Sequence, residues 1–411
     1  MAEELIDSLS KTRIGEHGHG PIASMGVVWD QLPTWDDIDI DSGGEALSGA
    51  VEVGTRLVLG KTPTAERPGA KPLELTIPLM IADMSFGSLS REAKTALAKG
   101  AELAGAAICS GEGGILKDEK AQSSRYLYQL GTGEFGYETM AGEERPRWHG
   151  AQAFHFKGGQ GAKTGTGGHL PGAKVSPMIA KTRGKEKGKD IISPPTFETM
   201  RSVEDFQARV ETVKEAMGDV PIGFKLSANR IEDDIDFALR VGADYIILDG
   251  RGGATGAAPI LFRDHISVPT MAAIVRARRY IDAHPKGAGV KLIATGGLRV
   301  PTDFVKAMAL GADGVALANT ALQALGCVAT RRCESGGCPV GIATQVPELR
   351  GRFKEKAELR ANWLGTLLGN CVEVMKSFAR DRGHADLSGF TKDDLVTSNP
   401  EVARLTGIRL R

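Results

Sequence analysis

Short apolar runs alternate with amphipathic stretches along most of this chain, and that alternation constrains its fold more than any other feature. The runs are IPLMIADM (77–84), AAICS (106–110), AQAFHF (151–156), IISP (191–194), IGFKLSA (222–228), YIILDG (245–250), KLIATGG (291–297) and GVALANTAL (314–322). Helical patterns follow several of them, as in SLSREAKTALAKGAELAG, IEDDIDFALRVGA and VPTDFVKAMALGA. Strands buried on both faces read as continuous apolar runs, and intervening helices imply parallel pairing. Eight such units predict an α/β fold, a closed (β/α)8 TIM barrel, with an open doubly wound sheet as the competing arrangement.

Further pieces flank this core. Residues 1–75, irregular and rich in Gly, Pro and Asp, read as an N-terminal arm or cap, and 76–325 as the barrel. Residues 326–345 form a cysteine loop and 346–411 a C-terminal helical extension, with helices expected over 352–369 and 370–380. The tail KDDLVTSNPEVARLTGIRL (392–410) is expected to pack on the barrel or dock on a partner. The 51 basic and 51 acidic side chains cancel and aromatics are 5%, so nothing argues for nucleic acid. No apolar run of 18 residues appears, and MAEELIDSLSKTRIGEHG has no apolar signal region. The expectation is a cytoplasmic protein with no membrane partner. Stable disulfides are rare there, so clustered cysteines need another explanation.

Glycine is abundant, at 53 residues, and clusters after the apolar runs. GRGGATGAAP follows Asp249 and ATGGLR follows Ile293. Backbone N–H groups in such turns can cradle a phosphate, and (β/α)8 enzymes usually place one beside the seventh and eighth strands. Gly253, Thr255, Gly296 and Gly297 are the candidates; tight turns without a ligand are the alternative. Lys225, at the end of IGFKL, would offset negative charge developing on a reduced flavin ring. Lys157, after AFHF, is a second candidate, and an ordinary salt bridge is the alternative for both. Gly87 and Ser88, just past Met84 and Ser85, would let the first loop approach the ring. No GxGxxG opens a βαβ unit and GKTP (60–63) lacks P-loop spacing, so no direct NAD(P)H site is inferred.

SGEGGIL (110–116) and KGGQGAKTGTGGHLPGAKV (157–175) follow the second and third runs, on the face where barrel chemistry normally sits. Lys163 and Arg183 are suited to substrate carboxylates, Arg183 through its bidentate fork. Glu112 would hold an amine or ammonium group. His169 offers an imidazole for proton transfer, with a local structural hydrogen bond as the alternative.

Cys327, Cys333 and Cys338 have the spacing C-x5-C-x4-C and precede Pro339. Thiolates are soft ligands suited to iron–sulfur iron. Zinc would need a fourth ligand, which Cys109 or Cys371 supplies only if the fold brings one close. Three thiolates with no evident fourth suit a three-iron cluster, although the spacing differs from the C-x2-C-x2-C ferredoxin pattern.

LMIADMSFGSLS, SGEGG, QGAKTGTGGHLPGAKV, ISPP, FKLSA, GRGGATGAAP, ATGGLR and the whole GCVATRRCESGGCPVGIATQ segment resemble the FMN-binding synthase domain of glutamate synthase, over about residues 75–380. The resemblance implies a barrel carrying FMN and a [3Fe–4S] cluster on Cys327, Cys333 and Cys338. It also implies 2-oxoglutarate over the flavin, with its imine reduced by hydride. Lys157 and Lys225 then look like flavin contacts, and Lys163 and Arg183 like the oxo-acid pair, with Glu112 in the acidic glycine loop. Departures from the family pattern fall at Ile115, His155, Thr164, Thr166 and His169. With them the glycine loop is most similar to the N-methylglutamate synthase (methylamine–glutamate N-methyltransferase) branch, whose flavin and iron–sulfur subunit stands alone. That likeness implies conversion of methylamine and L-glutamate to N-methyl-L-glutamate and ammonia through 2-oxoglutarate and an imine. The synthase subunit of a split glutamate synthase is the alternative. No cysteine follows Met1 directly, so the implied partners are a glutaminase-like amidotransferase subunit and a β-helical subunit in a hetero-oligomer. The small-molecule ligands would be an amine with a 2-oxo acid or glutamate.

Overall fold

Eight parallel strands close a barrel in the computed structural model of the chain: β1 (Leu79–Ile81), β2 (Ala107–Cys109), β3 (Tyr126–Leu130), β4 (Ala153–Lys157), β5 (Ile222–Ser227), β6 (Tyr245–Asp249), β7 (Lys291–Thr295) and β8 (Gly314–Leu317). Each pairs with its neighbour in sequence, and β8 returns to β1. The structure describes residues 6, 10, 22–24, 32–65, 67–138, 143–163, 166–253 and 255–411. The helices used below are α1 (Arg91–Ala104), α2 (Pro177–Arg183), α3 (Val203–Met217), α4 (Ile231–Val241), α5 (Thr270–Ala283), α6 (Pro301–Ala309), α7 (Asn319–Ala324), α8 (Pro347–Lys354), α9 (Ala357–Asp381) and α10 (Pro400–Thr406).

The barrel is as predicted, but its third strand is not. YLYQL occupies that place, while Ile191–Ile192 pairs antiparallel with His169–Leu170 in a small ribbon outside the barrel. Pro194 closes the IISP run after two paired residues, since proline cannot donate to a ladder. The loop KGGQGAKTGTGGHLPGAKV therefore leaves the fourth strand, not the third. The 25-residue α9 is also one helix where two are expected. Its buried stripe, Leu364, Leu368, Cys371, Met375 and Ala379, continues across Gly369 at helical spacing, and packing on α1 outweighs the cost of the glycine.

Two devices outside the barrel fix its ends. Leu57–Leu59 and Leu73–Leu75 form an antiparallel hairpin whose four buried leucines join Met80, Ala107, Leu127, Ala153, Ile247, Ile293 and Ala316 in one apolar cluster inside the barrel. The tail strand Leu395–Thr397 pairs with Asp39–Ile40 of the arm on one side and Arg409–Leu410 on the other, so the tail is held to the arm. Among the described residues, no helix is long and apolar enough to cross a membrane.

Candidate active site

The upper interior of the barrel is polar, and its groups come from strand ends. Gln129 and His155 are in register on β3 and β4, and Lys157 and Lys225 on β4 and β5. Lys225 Nζ lies 2.6 Å from Asp83 Oδ2, and His155 Nε2 lies 3.1 Å from Asp83 Oδ1. His155 Nδ1 is 3.1 Å from the Tyr245 hydroxyl, and Gln129 Nε2 is 2.9 Å from His155 Nε2. Tyr245 enters the barrel because Gly223 faces it: an added Cβ there would lie 2.3 Å from the ring carbon Cζ. Burial resists ionisation of Asp83, yet the Lys225 ammonium and then His155 hold its carboxyl well below the usual range. Burial equally opposes the charge on Lys225, but Asp83 and then Asp249 raise it above the ordinary lysine value.

One cavity opens above this layer, and a second group of charges lines its wall. Glu112 Oε2 sits 3.0 Å from Lys157 Nζ. Burial works against the Glu112 charge, but Lys157, Lys163 and Arg183 together hold its carboxyl down at about 2. Lys163 donates to the Ala257 carbonyl at 2.8 Å. Its burial pushes the ammonium down to about 8, against the pull of Glu112. Arg183 reaches the wall from the last turn of α2, which Ser176 caps, Pro177 opens and left-handed Gly184 ends. Its Nη2 donates to Phe86 O at 2.8 Å and to Ser85 Oγ at 3.1 Å, and burial lowers it to about 10. Beneath it, Phe86, Leu116, Phe135, Leu170, Val175 and Ile179 form a small separate core that holds the glycine loop over the barrel mouth.

The glycine turns after β6 and β7 stand back to back. A Cβ on Gly252 would lie 2.8 Å from Gly296 C, and one on Gly296, at φ +109°, would lie 2.9 Å from Gly253 N. Only bare backbone fits there, which lets a ligand approach the main chain closely, while the Gly253 N–H closes its own turn on Gly250 O at 2.9 Å. Cys327, Cys333 and Cys338 line the same cavity. A Cβ on Gly256 would lie 3.8 Å from Cys333 Cβ, so the β6 turn and the cysteine loop touch. Ser24 of the arm binds both, donating to Gly256 O at 2.8 Å and pairing with Glu334. Among the described residues, the set that gathers three ligand atoms within 4.8 Å is Asp83, Cys109 and His155. The three loop sulfurs are therefore spread more widely than a single ion requires, and Cys109 and Cys371 are buried in other parts of the core. Burial raises the Cys333 thiol to about 11, with the other two thiols adding to the rise.

Met84, Ser85, Glu112, Lys157, Lys163, His169, Arg183, Lys225, Gly253, Thr255, Gly296, Gly297 and the three cysteines all line this cavity. Gly87 does not: it turns the first loop at φ +108° with Leu170 filling the space beside it. His169 pairs with Asp190 at 2.8 Å. Of the other departures, Ile115 is buried in the main core, and the Thr166 hydroxyl donates to Lys163 O at 2.9 Å. His155 lies below the cavity, and Thr164 falls outside the described residues. Sequence reasoning passes over Asp83, Gln129, Asp249 and Lys174, which also line the wall. Asp83 and Asp249 were visible as charges at the ends of apolar runs, IPLMIADM and YIILDG, and such a charge has to be paired.

Residues 57–381 match the model of the conserved region in glutamate synthase. An archaeal-type glutamate synthase [NADPH] of Thermotoga maritima is 36% identical over 347 residues, 82% of this chain and 64% of the relative. The chain thus spans somewhat under two thirds of that relative's length. A glutamate synthase large subunit-like protein of Rhizobium meliloti is 33% identical over 380 residues, 87% of this chain and 81% of the relative. Among solved structures, a flavocytochrome b2 mutant with pyruvate bound has a TM-score of 0.52 at 14% identity, covering 88% of this chain and 76% of its own, and shares the fold. The motifs, the barrel and these relatives agree that the chain belongs to the glutamate synthase family.

Proposed function

We propose that this chain is the synthase unit of a glutamate synthase, which condenses 2-oxoglutarate with ammonia and reduces the resulting imine to L-glutamate. The observation that carries this reading is that two bare-backbone glycine turns, a group of buried cations around one carboxylate, and three spread thiols share a single cavity. The glycine turns suit the phosphate of FMN and Lys225 its electron-rich ring edge, with Met84, Ser85 and Lys157 alongside. The cysteines would hold a [3Fe–4S] centre by supplying its thiolate ligands. When bound, FMN supplies hydride chemistry and the cluster supplies electrons one at a time.

The chain's own residues then have distinct tasks. Lys163 and Arg183 hold the two carboxylates of the oxo acid. Glu112, ionised at neutral pH, accepts hydrogen bonds from the amine and holds it beside the oxo carbon. The polar layer of Asp83, His155 and Gln129 keeps Lys225 fixed and charged. Ammonia arrives from a glutaminase-like partner in a cytoplasmic hetero-oligomer that includes a β-helical subunit, and electrons come from an external donor.

A second reading takes methylamine as the amine, glutamate as the source of the oxo acid, and N-methyl-L-glutamate as the product. It rests on His169, the departure from the family pattern that lines the cavity among the described residues. The Thermotoga maritima relative, named a glutamate synthase, favours ammonia. Direct competition separates the two: the co-purified complex is given 2-oxoglutarate, a reductant, and equal ammonia and methylamine. Glutamate as the main product supports the first reading, whereas N-methylglutamate in excess would replace it with the second. Neither product, or loss of neither when Lys163 becomes alanine, would remove both.

A further inference from the structure

We infer that Lys174 and Glu334 together set the reduction potential of the centre held by Cys327, Cys333 and Cys338, Lys174 raising it and Glu334 lowering it; this rests on the cluster reading above. Lys174 ends the glycine loop, in a short turn where its N–H donates to Pro171 O at 2.9 Å. Its side chain is 6% exposed and runs along Gly336, whose Cβ, if present, would lie 3.6 Å from Lys174 Cγ. The ammonium donates to the Cys333 carbonyl at 3.0 Å and to Ser88 O at 3.4 Å. Cysteine loop, first barrel loop and glycine loop therefore meet at one buried cation.

A buried ammonium hydrogen-bonded to neutral carbonyls is expensive unless a negative charge lies near it. The titratable and charged groups that face it are the Cys333 and Cys338 thiols, Glu334 and Arg183. A thiolate-bound cluster supplies the negative charge that makes this arrangement favourable. Reduction adds one electron, so a fixed cation stabilises the reduced form and a fixed anion opposes it. Net charge, hydrogen bonds near the ligands and solvent exposure are the factors that set such potentials. Glu334 follows Cys333 directly, lines the same cavity, and is fixed by Ser24, whose hydroxyl also accepts the Glu334 N–H at 3.0 Å. Lys174 and Glu334 thus form an opposed pair on one cysteine.

The test is an EPR-monitored redox titration of the full chain and of its Lys174→Met, Lys174→Arg and Glu334→Gln variants, with iron content measured on each. In Lys174→Met the reduced-to-oxidised ratio at fixed poise is expected to fall about tenfold, or about 59 mV for a one-electron couple. Lys174→Arg should stay near the parent, and Glu334→Gln should shift the ratio upward. General damage to the loop would not move two variants in opposite directions. An unmoved midpoint in a cluster-bearing Lys174→Met, or a shift of the same sign in Glu334→Gln, overturns the inference and leaves the cluster reading intact. If Lys174→Met fails to retain iron, Glu334→Gln still decides, since an unmoved or lowered midpoint there overturns the inference. A parent chain that holds zinc or no iron instead removes the cluster reading, and this inference with it.

Discussion

The lower and upper halves of the barrel are built from the same eight strands and filled in opposite ways. Below, the hairpin leucines Leu57, Leu59, Leu73 and Leu75 pack against Ala107, Leu127, Ala153, Ile247 and Ile293. Above, Asp83, Gln129, His155, Lys225 and Asp249 occupy the inward positions, each tied to a neighbour. A fully buried leucine stabilises by about 1.5–3 kcal/mol whichever apolar atoms surround it. A buried charge costs several kcal/mol and is tolerated only with its particular partner in place. The lower half can therefore hold the fold while the upper half is kept in an arrangement that packing alone would not select.

The largest expected effect comes from breaking one upper pair. Lys225→Met leaves Asp83 buried beside His155 without its cation, and should lower the unfolding free energy by about 3–5 kcal/mol in urea titrations. Replacing both, as Asp83→Leu with Lys225→Met, should recover most of that loss, because two apolar groups need no partner. Neither variant is expected to retain flavin. A cost below about 1 kcal/mol for the single change would mean that the pair does not organise the upper half.

Leu59→Ala tests the other half. It opens a cavity among the hairpin leucines and should cost about 3 kcal/mol. Flavin content and kcat should be unchanged at temperatures where the variant stays folded. A large drop in kcat with normal flavin content would show that the two halves are not separable.

The same contrast explains what could be read from the sequence. Strands whose residues are apolar on both faces announced themselves, and seven of the barrel positions followed from the runs alone. YLYQL did not, because the polar Gln129 points to the upper layer and the segment follows the charged stretch KDEKAQSSR. IISP imitated a strand by composition, although its pairing stops before Pro194. Gly369 read as a helix end, yet α9 runs through it because the apolar stripe on either side is anchored against α1. In the site, the glycine turns and cysteines were legible from residue type and spacing. Partnerships such as Asp83 with Lys225, or Lys174 with the Cys333 carbonyl, join positions 142 and 159 apart along the chain, and no local pattern encodes them.

The smallest expected effect is a pH response that shows function and stability pulling against each other at one residue. Burial lowers Lys163 from 10.5 to about 8, with Glu112 pulling it back up and Lys157 adding to the fall. Below about 8 the ammonium is charged and available to a substrate carboxylate; above it the amine is neutral. The kcat/KM for the oxo acid reports groups of the free enzyme, so it should fall above pH about 8, approaching tenfold per pH unit. Each tenfold step corresponds to about 1.4 kcal/mol. Lys163→Arg, which keeps its charge throughout, should move that fall to higher pH. Stability has the opposite sign. Between about 8 and 10.5 the unfolded chain binds a proton at Lys163 that the folded chain does not, so unfolding free energy rises with pH there. Measured against Lys163→Met, which cancels the titration of all other groups, the rise should approach about 1.4 kcal/mol per pH unit. If affinity and stability instead fell together, Lys163 would be held by its Ala257 contact as a structural lysine, and the upper half would owe its charges to folding and not to substrate.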